Sequence, residues 1–473
     1  MTSVVVLGAG PAGLAAALEL AESGVKVTLV EQNNYVGGNA SSFEMGGINV
    51  DYGSHRLHPA SAPQVLDRIK QVLGDDLLVR PRHGRILLMG RWIHFPLRPI
   101  DLVFKAHPLF VVGVGGDLIK KLLSSKPVNS VVNESFASIL KQGLGKTICN
   151  TFYFPYAKKI WGVDPNYLSP IQARKRVSAG SIGKMFKRLL PGGTALGGAS
   201  SKGVFYYPRY GFGQISRALQ EKCIEAGVDI RLNSRIIGIQ LDVTNRYVEV
   251  ESKGYIEKIP ANQIYSTIPL TLLTKLINTK TPPKVLKAAE LLEFRSMILV
   301  YLQLDQDQFT EFDAHYFPST DIPFTRISET KNYSDLNEPK EQTVLCAELP
   351  CFRTDELWNM SEQELGSLVS EGLAKAGLKV NSNITDIKLK KIPFAYPLYT
   401  TGYEKNFELV DEWLDKLDGL LSFGRQGLYA HDNTHHAMYM AKAAADCLNE
   451  NGSIDTAAWQ AARKIFESHV VED

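Results

Sequence analysis

Cysteine is scarce and unpatterned. Cys149, Cys223, Cys346, Cys351 and Cys447 are an odd five among 473 residues, with no CxxC pair. That argues against a disulfide framework and a zinc site, and reduced thiols point to the cytoplasm. An excess of charge of one sign is also missing. The net charge is +2, so there is no global case for nucleic-acid binding. Long apolar runs are lacking too. The longest uncharged apolar stretch lies between Lys105 and Asp117, far short of the roughly 20 residues a membrane span needs. No signal peptide is read, because Val4-Val5-Val6-Leu7 leads straight into a glycine-rich turn.

What is present is an ordinary soluble composition, 44% hydrophobic and 22% charged, on a chain long enough for two to four domains. Residues 3–8 read as a buried strand. Residues 11–23 read as a helix with apolar Leu14, Ala17, Leu18 and Ala21, closed by Gly24. Val25 to Val30 reads as a second strand ending at Glu31. Between the first strand and the helix stands Gly8-Ala9-Gly10-Pro11-Ala12-Gly13. In a βαβ unit Gly8 allows the tight turn, Gly10 lets backbone approach a pyrophosphate, and Gly13 lets helix pack on strand. The helix N-terminus offers free N–H groups to the phosphates. Glu31 is placed to accept from a ribose diol.

Further along, residues 60–190 read as mostly helical and rich in Arg, Lys and aromatics. A Gly/Ser-rich loop or linker follows at 191–201. Gln214 to Ala226 reads as an amphipathic helix, and strands are expected at 228–232, 235–241, 247–252 and 263–267. The last clear element is a small-residue helix from about Thr434 to Leu448.

Gly37-Gly38-Asn39, shortly after Glu31 and Gln32, resembles the GG motif of the flavoprotein superfamily that holds amine oxidases, protoporphyrinogen oxidase, phytoene desaturases and UDP-galactopyranose mutase. Asn39, where most amine-oxidase relatives carry Arg, looks more like the mutases. Phe423-Gly424-Arg425 through Asp432-Asn433-Thr434-His435-His436-Ala437 resembles the C-terminal flavin motif of the mutases and of prokaryotic protoporphyrinogen-oxidase-like proteins. That resemblance implies FAD, with Gly424, Arg425, Asn433 and Thr434 beside it. It also implies middle contacts from Arg235-Ile236 and Thr267.

The implied fold is α/β: a Rossmann-like FAD-binding domain of the glutathione-reductase type, assembled from discontinuous segments, with an inserted α+β substrate domain and a helical region. The expected division is 1–70, 201–285 and 411–473 for the cofactor, 71–200 for the helical and substrate region, and 286–410 for the substrate domain.

Gly53-Ser54-His55-Arg56-Leu57-His58 resembles the mutases' G-x-H-x-x-H element, which implies His55 and then His58 by the flavin ring; core histidines are the alternative. Basic residues suit an anionic substrate. Arg295 and Arg176 come first by that resemblance, ahead of Arg80, Arg82, Arg85, Arg91, Arg174 and Lys175. Tyr396, Tyr399 and Tyr403 either line the cleft or simply pack. No metal site is expected, since adjacent His435 and His436 do not face one ligand on a helix.

Two reactions compete: hydride transfer from a small or medium organic substrate to flavin N5, or a redox-neutral nucleotide-sugar mutase. The W-x-x-G-A-type segment of amine oxidases with an aromatic cage is not found, which counts against amine oxidation. A small-molecule substrate and no nucleic acid are expected, and a homodimer is allowed. Peripheral membrane docking through 101–124 is set against a buried helix, with Pro108 read as an interruption.

Overall fold

The computed structural model describes residues 2–95, 101, 104–123, 134–176, 203–278 and 281–471. The opening βαβ unit forms as its pattern predicts: β1 is Ser3–Leu7, α1 is Pro11–Glu22 and β2 is Lys26–Val30. Pro11 starts α1, where its missing N–H is not needed.

β1 and β2 are central in a five-stranded sheet whose order is Leu420–Ser422, Gln263–Ser266, β1, β2, Asp229–Arg231. Every neighbouring pair is parallel. A parallel sheet must be covered on both faces. On one face α1, the helix Gln214–Glu225 and the helix Thr434–Asp446 share a core rich in alanine, with Ala16, Ala17, Ala441 and Ala444 fully buried. Small side chains let these helices approach closely. On the other face lies an antiparallel ribbon of Arg235–Gln240, Tyr247–Ser252 and Tyr255–Pro260. The last of these strands was not expected from the sequence; its side chains are mostly exposed, so it has little apolar alternation to read.

A second sheet of seven strands runs Ile384–Pro397, Phe294–Leu304, Thr343–Cys351, Arg326–Glu329, Ala314–Tyr316, Gly84–Leu88, Arg91–Phe95. The last two, with Leu77–Pro81, correct the helical reading of 60–190. Arg-rich, short strands carry a weak period-2 signal, and pairing to distant strands decides their state. Helices do fill much of the remainder, including Pro108–Leu123, Phe136–Leu144, Phe154–Trp161 and Pro170–Arg176. Pro108 begins its helix rather than interrupting it. The Gly/Ser-rich stretch 191–201 lies outside the described residues. Beyond the helix Thr434–Asp446 the chain adds one more, Thr456–Glu467, so the small-residue helix is not the final element.

Candidate cofactor and substrate site

A cleft of about 520 Å³ runs from the Gly8–Ala12 turn, between the two large sheets, to the strand Ile384–Pro397. Its first end is built as the glycine spacing requires. Gly8 has φ +95°, a left-handed conformation that costs a non-glycine residue strain. A Cβ on Gly13 would lie 1.9 Å from the Gly8 carbonyl oxygen, so only glycine lets α1 close onto the turn. A Cβ on Gly10 would meet no protein atom within 4 Å; it would project into the cleft, where a pyrophosphate needs the space. Gly37 closes its turn by donating its N–H to the Ala9 carbonyl, at 2.8 Å, and Gly38 lines the cleft.

Glu31 is buried at the rim of the same end. Its Oε2 accepts the Ala9 N–H at 2.9 Å, and its Oε1 accepts from the Asn33 backbone N–H and side-chain amide at 2.9 and 2.7 Å. Oε2 keeps a lone pair for a diol. Gln32, Pro11, Ala12, Asn39, Thr267, Gly424, Arg425, Asn433 and Thr434 also line the cleft. Thr267 is anchored by its hydroxyl donating to Leu7 O at 2.8 Å. Asn433 is the N-cap of the helix Thr434–Asp446, so a helix N-terminus and its dipole face this cleft as well. The open glycine backbone, two helix N-termini and a partly satisfied acid fit an extended dinucleotide.

Arg235 and Ile236 are a correction. Neither lines the cleft; the exposed Arg235 guanidinium pairs with Glu251 at 2.5 Å, while Ile236 packs into the ribbon core. The backbone bordering Glu31 comes just before them: Asn233 and Ser234 donate their N–H groups to Asn33 O and Glu31 O at 2.9 Å each.

At the far end, His55 stacks on Phe212, with centroids 5.1 Å apart. Its Nδ1 is buried without a hydrogen-bond partner. Burial, reinforced by the Arg326 and Arg425 cations, pushes its pKa down to about 4, so the ring is neutral at pH 7. His58 lines the cleft nearby and accepts the Ala60 N–H at Nδ1, 3.1 Å away.

Arg326 and Glu348 form a two-point ion pair, Nε to Oε1 and Nη2 to Oε2, both 2.9 Å. Glu348 Oε1 also accepts the Ser54 N–H at 2.8 Å, which ties the His55 loop to the sheet. Arg56 reaches Asp313 at 3.0 Å and the hydroxyls of Tyr316 and Tyr333 at 3.1 Å. Arg82, Lys390, Lys391 and Tyr396 complete this wall.

Arg295 is the second correction. It is buried outside the cleft, its guanidinium donating to the carbonyls of Ile160, Lys159 and Pro350 and lying 4.2 Å over the Phe352 ring. It ties a strand to a helix end. The Arg176 side chain lies outside the described residues. Arg85 packs between Trp92 and Phe312, Arg91 reaches Ala106 O, and Arg174 pairs with Glu134; of the basic cluster at 80–91, Arg82 faces the cleft. Tyr399 and Tyr403 stack on each other at 4.2 Å and pack, whereas Tyr396 lines the site. Sequence reasoning missed Arg326 and Glu348, whose only signal is their pairing in the sheet.

Asp432, His436 and His469 bring one oxygen and two ring nitrogens within 4.8 Å of one another. The two imidazoles are nearly parallel, 13° apart with centroids 4.3 Å apart. Burial pushes the His436 pKa down to about 4 against the opposing pull of Asp432, so that ring is neutral at pH 7.

The Flavin containing amine oxidoreductase family model matches residues 11–445. Phytoene desaturase of Fusarium fujikuroi is 27% identical over 256 residues, 51% of this chain and 44% of that protein. dTDP-fucopyranose mutase of Escherichia coli is 25% identical over 181 residues, 37% of this chain and 46% of the mutase. The chain thus spans about half the length of these curated relatives. The crystal structure of reduced UDP-galactopyranose mutase superposes with a TM-score of 0.81 at 21% identity, covering 100% of both chains, which establishes the fold. With a dinucleotide cradle at one end of the cleft and the family match running across nearly its whole length, the chain belongs to the flavin-containing amine oxidoreductase family, and its cofactor is FAD.

Proposed function

We propose that the protein is an oxidoreductase that takes hydride from an anionic organic substrate held at the His55 end of the cleft. Bound FAD supplies a hydride acceptor at N5 and carries the redox chemistry. The protein's part is placement. Gly10, Glu31, Gly38, Thr267, Gly424, Arg425, Asn433 and Thr434 would hold the cofactor, and segments 1–70, 201–285 and 411–473 would form its domain. Arg56, Arg82, Arg326 and Lys390 would attract and orient an anion. The buried, neutral His55 would stand against the ring without adding charge, leaving the arginines to set the field.

The observation that carries this reading is the continuity of one cleft from the glycine turn to the His55–Arg326–Arg425 group. Five buried free thiols support a reducing compartment, the cytoplasm.

A second reading, a redox-neutral nucleotide-sugar mutase, is favoured by Asn39 in the cleft, its amide donating to Phe394 O at 2.9 Å, and by the cationic wall, which suits a diphosphate. Anaerobic mixing separates the two. Bleaching of oxidised flavin by one compound from a panel of acids, porphyrinogens and polyenes supports hydride transfer. Product from a nucleotide sugar with pre-reduced flavin alone, without net bleaching, overturns it in favour of the mutase.

A further inference from the structure

Residues 468–471, which follow the helix Thr456–Glu467, run between the cofactor helix Thr434–Asp446 and the helix Pro170–Arg176. His469 stacks on His436 and packs edge-on against Tyr439, with ring centroids 4.3 and 5.9 Å apart. Two residues on, the Val471 N–H donates to the Lys175 carbonyl at 3.0 Å. Val471 is buried and lines the cleft. Lys175 ties the start of the segment as well, its ammonium donating to Glu467 O at 2.6 Å and to Phe466 O at 3.5 Å. The sequence placed Lys175 with the residues for an anionic substrate; the structure spends its charge on backbone carbonyls.

Asp432, also on the cleft wall, is 2% exposed, yet neither carboxylate oxygen has a hydrogen-bond partner among the described residues. A buried carboxylate without donors is costly, so a donor close at hand matters. Arg425 reaches the Asp432 backbone carbonyl at 3.4 Å rather than the carboxylate. The His436 Nδ1 is 3.5 Å from Oδ1, but it accepts the Asn433 N–H and has no proton to give. The His469 Nδ1 is 3.6 Å from the same oxygen and is itself without a hydrogen-bond partner among the described residues. A shift of about half an ångström would turn that approach into a hydrogen bond.

We propose that residues 468–471 are a strap that retains FAD in its cleft, and that His469 donating to Asp432 is its clasp. Val471 then serves as a wall of the cofactor site, and opening of the clasp precedes loss of FAD. The inference rests on the FAD assignment and is independent of the reaction proposed above.

Release of FAD from the full-length holoprotein, followed as the rise in flavin fluorescence after dilution, tests this without any substrate. His469→Ala should release FAD about tenfold faster, as expected for losing one hydrogen bond to a charged group. His469→Asn keeps a donor near the position of Nδ1 and should stay within about twofold of wild type. Asp432→Ala combined with His469→Ala should be no faster than the faster single variant, because the two side chains act as one unit. Hydrogen exchange on the wild-type protein needs no variant: the amides of 469–471 should exchange about tenfold more slowly with FAD bound than after its removal. His469→Ala that releases FAD at the wild-type rate overturns the proposal, as does exchange at 469–471 that ignores the cofactor. Fast release from Asp432→Ala alone, with His469→Ala unchanged, assigns the carboxylate to the cofactor instead and also overturns it.

Discussion

Arg326 and Glu348 stand directly opposite each other on adjacent antiparallel strands, and their side chains pair at two points on the cleft wall. Sheet register therefore fixes the position of the cation beside His55. Glu348→Ala leaves a buried guanidinium without its counter-ion and frees the Ser54 N–H. A loss of about 3–5 kcal/mol is expected, visible as a lower Tm and a lower denaturant midpoint. An unchanged midpoint would show that the pair is not buried as described.

Arg295 is expected to act on stability rather than on substrate. Arg295→Ala strands three carbonyl acceptors, of Ile160, Lys159 and Pro350, at about 1–3 kcal/mol for each group left unsatisfied. Tm should fall while KM for the substrate stays within about twofold. A large rise in KM with unchanged Tm would return Arg295 to the substrate site.

Acid should destabilise the protein through its buried histidines, among them His55 and His315. Burial holds His55 down to about 4, with Arg326 and Arg425 adding to it, and burial with Arg85 holds His315 down to about 3, against an ordinary 6.5. The unfolded chain takes up these protons first. Their stabilising effect is full above pH 6.5 and is lost as pH falls toward 4 and then 3. Asp51 runs the other way. Burial raises it to about 6 from 3.8, so its contribution is lost as pH rises from about 4 to 6. Burial also holds His435 down to about 3 and His436 down to about 4 and raises Glu329 and Asp411; the four large histidine shifts predict a net fall in Tm below pH 6.5. His315→Leu, between Trp92 and Phe312, should flatten that acid limb; an unaltered slope would show that His315 is not buried neutral.

The cofactor end was legible because its demands are local. A tight turn, a close backbone approach and a helix start each require glycine at fixed spacing, so Gly8, Gly10 and Gly13 declare themselves within six residues. The segment around His55 and the one from Gly424 to Thr434 were likewise continuous in sequence. The substrate end is assembled from strands far apart in the chain. Arg326 and Glu348 meet only through register, and nothing in their neighbours marks them. Arg295 misled because an arginine buried against carbonyls and one facing an anion look alike in one dimension. The strands between Leu77 and Phe95 were hidden by their charged side chains and, for two of them, by distant partners: Leu77–Pro81 pairs with Val204–Pro208 and Gly84–Leu88 with Ala314–Tyr316.

The most direct test of the cofactor cradle compares two glycines whose Cβ positions differ in what they meet: that of Gly10 opens to the cleft, that of Gly13 falls on backbone. Gly10→Val should fold with near wild-type Tm in the absence of flavin, because a Cβ there meets no protein atom within 4 Å, yet purify with no FAD absorbance. Gly13→Val should fail to fold, because its Cβ collides with the Gly8 carbonyl. A Gly10→Val protein that carries a full complement of FAD would contradict the account, since the pyrophosphate could not then lie over that backbone.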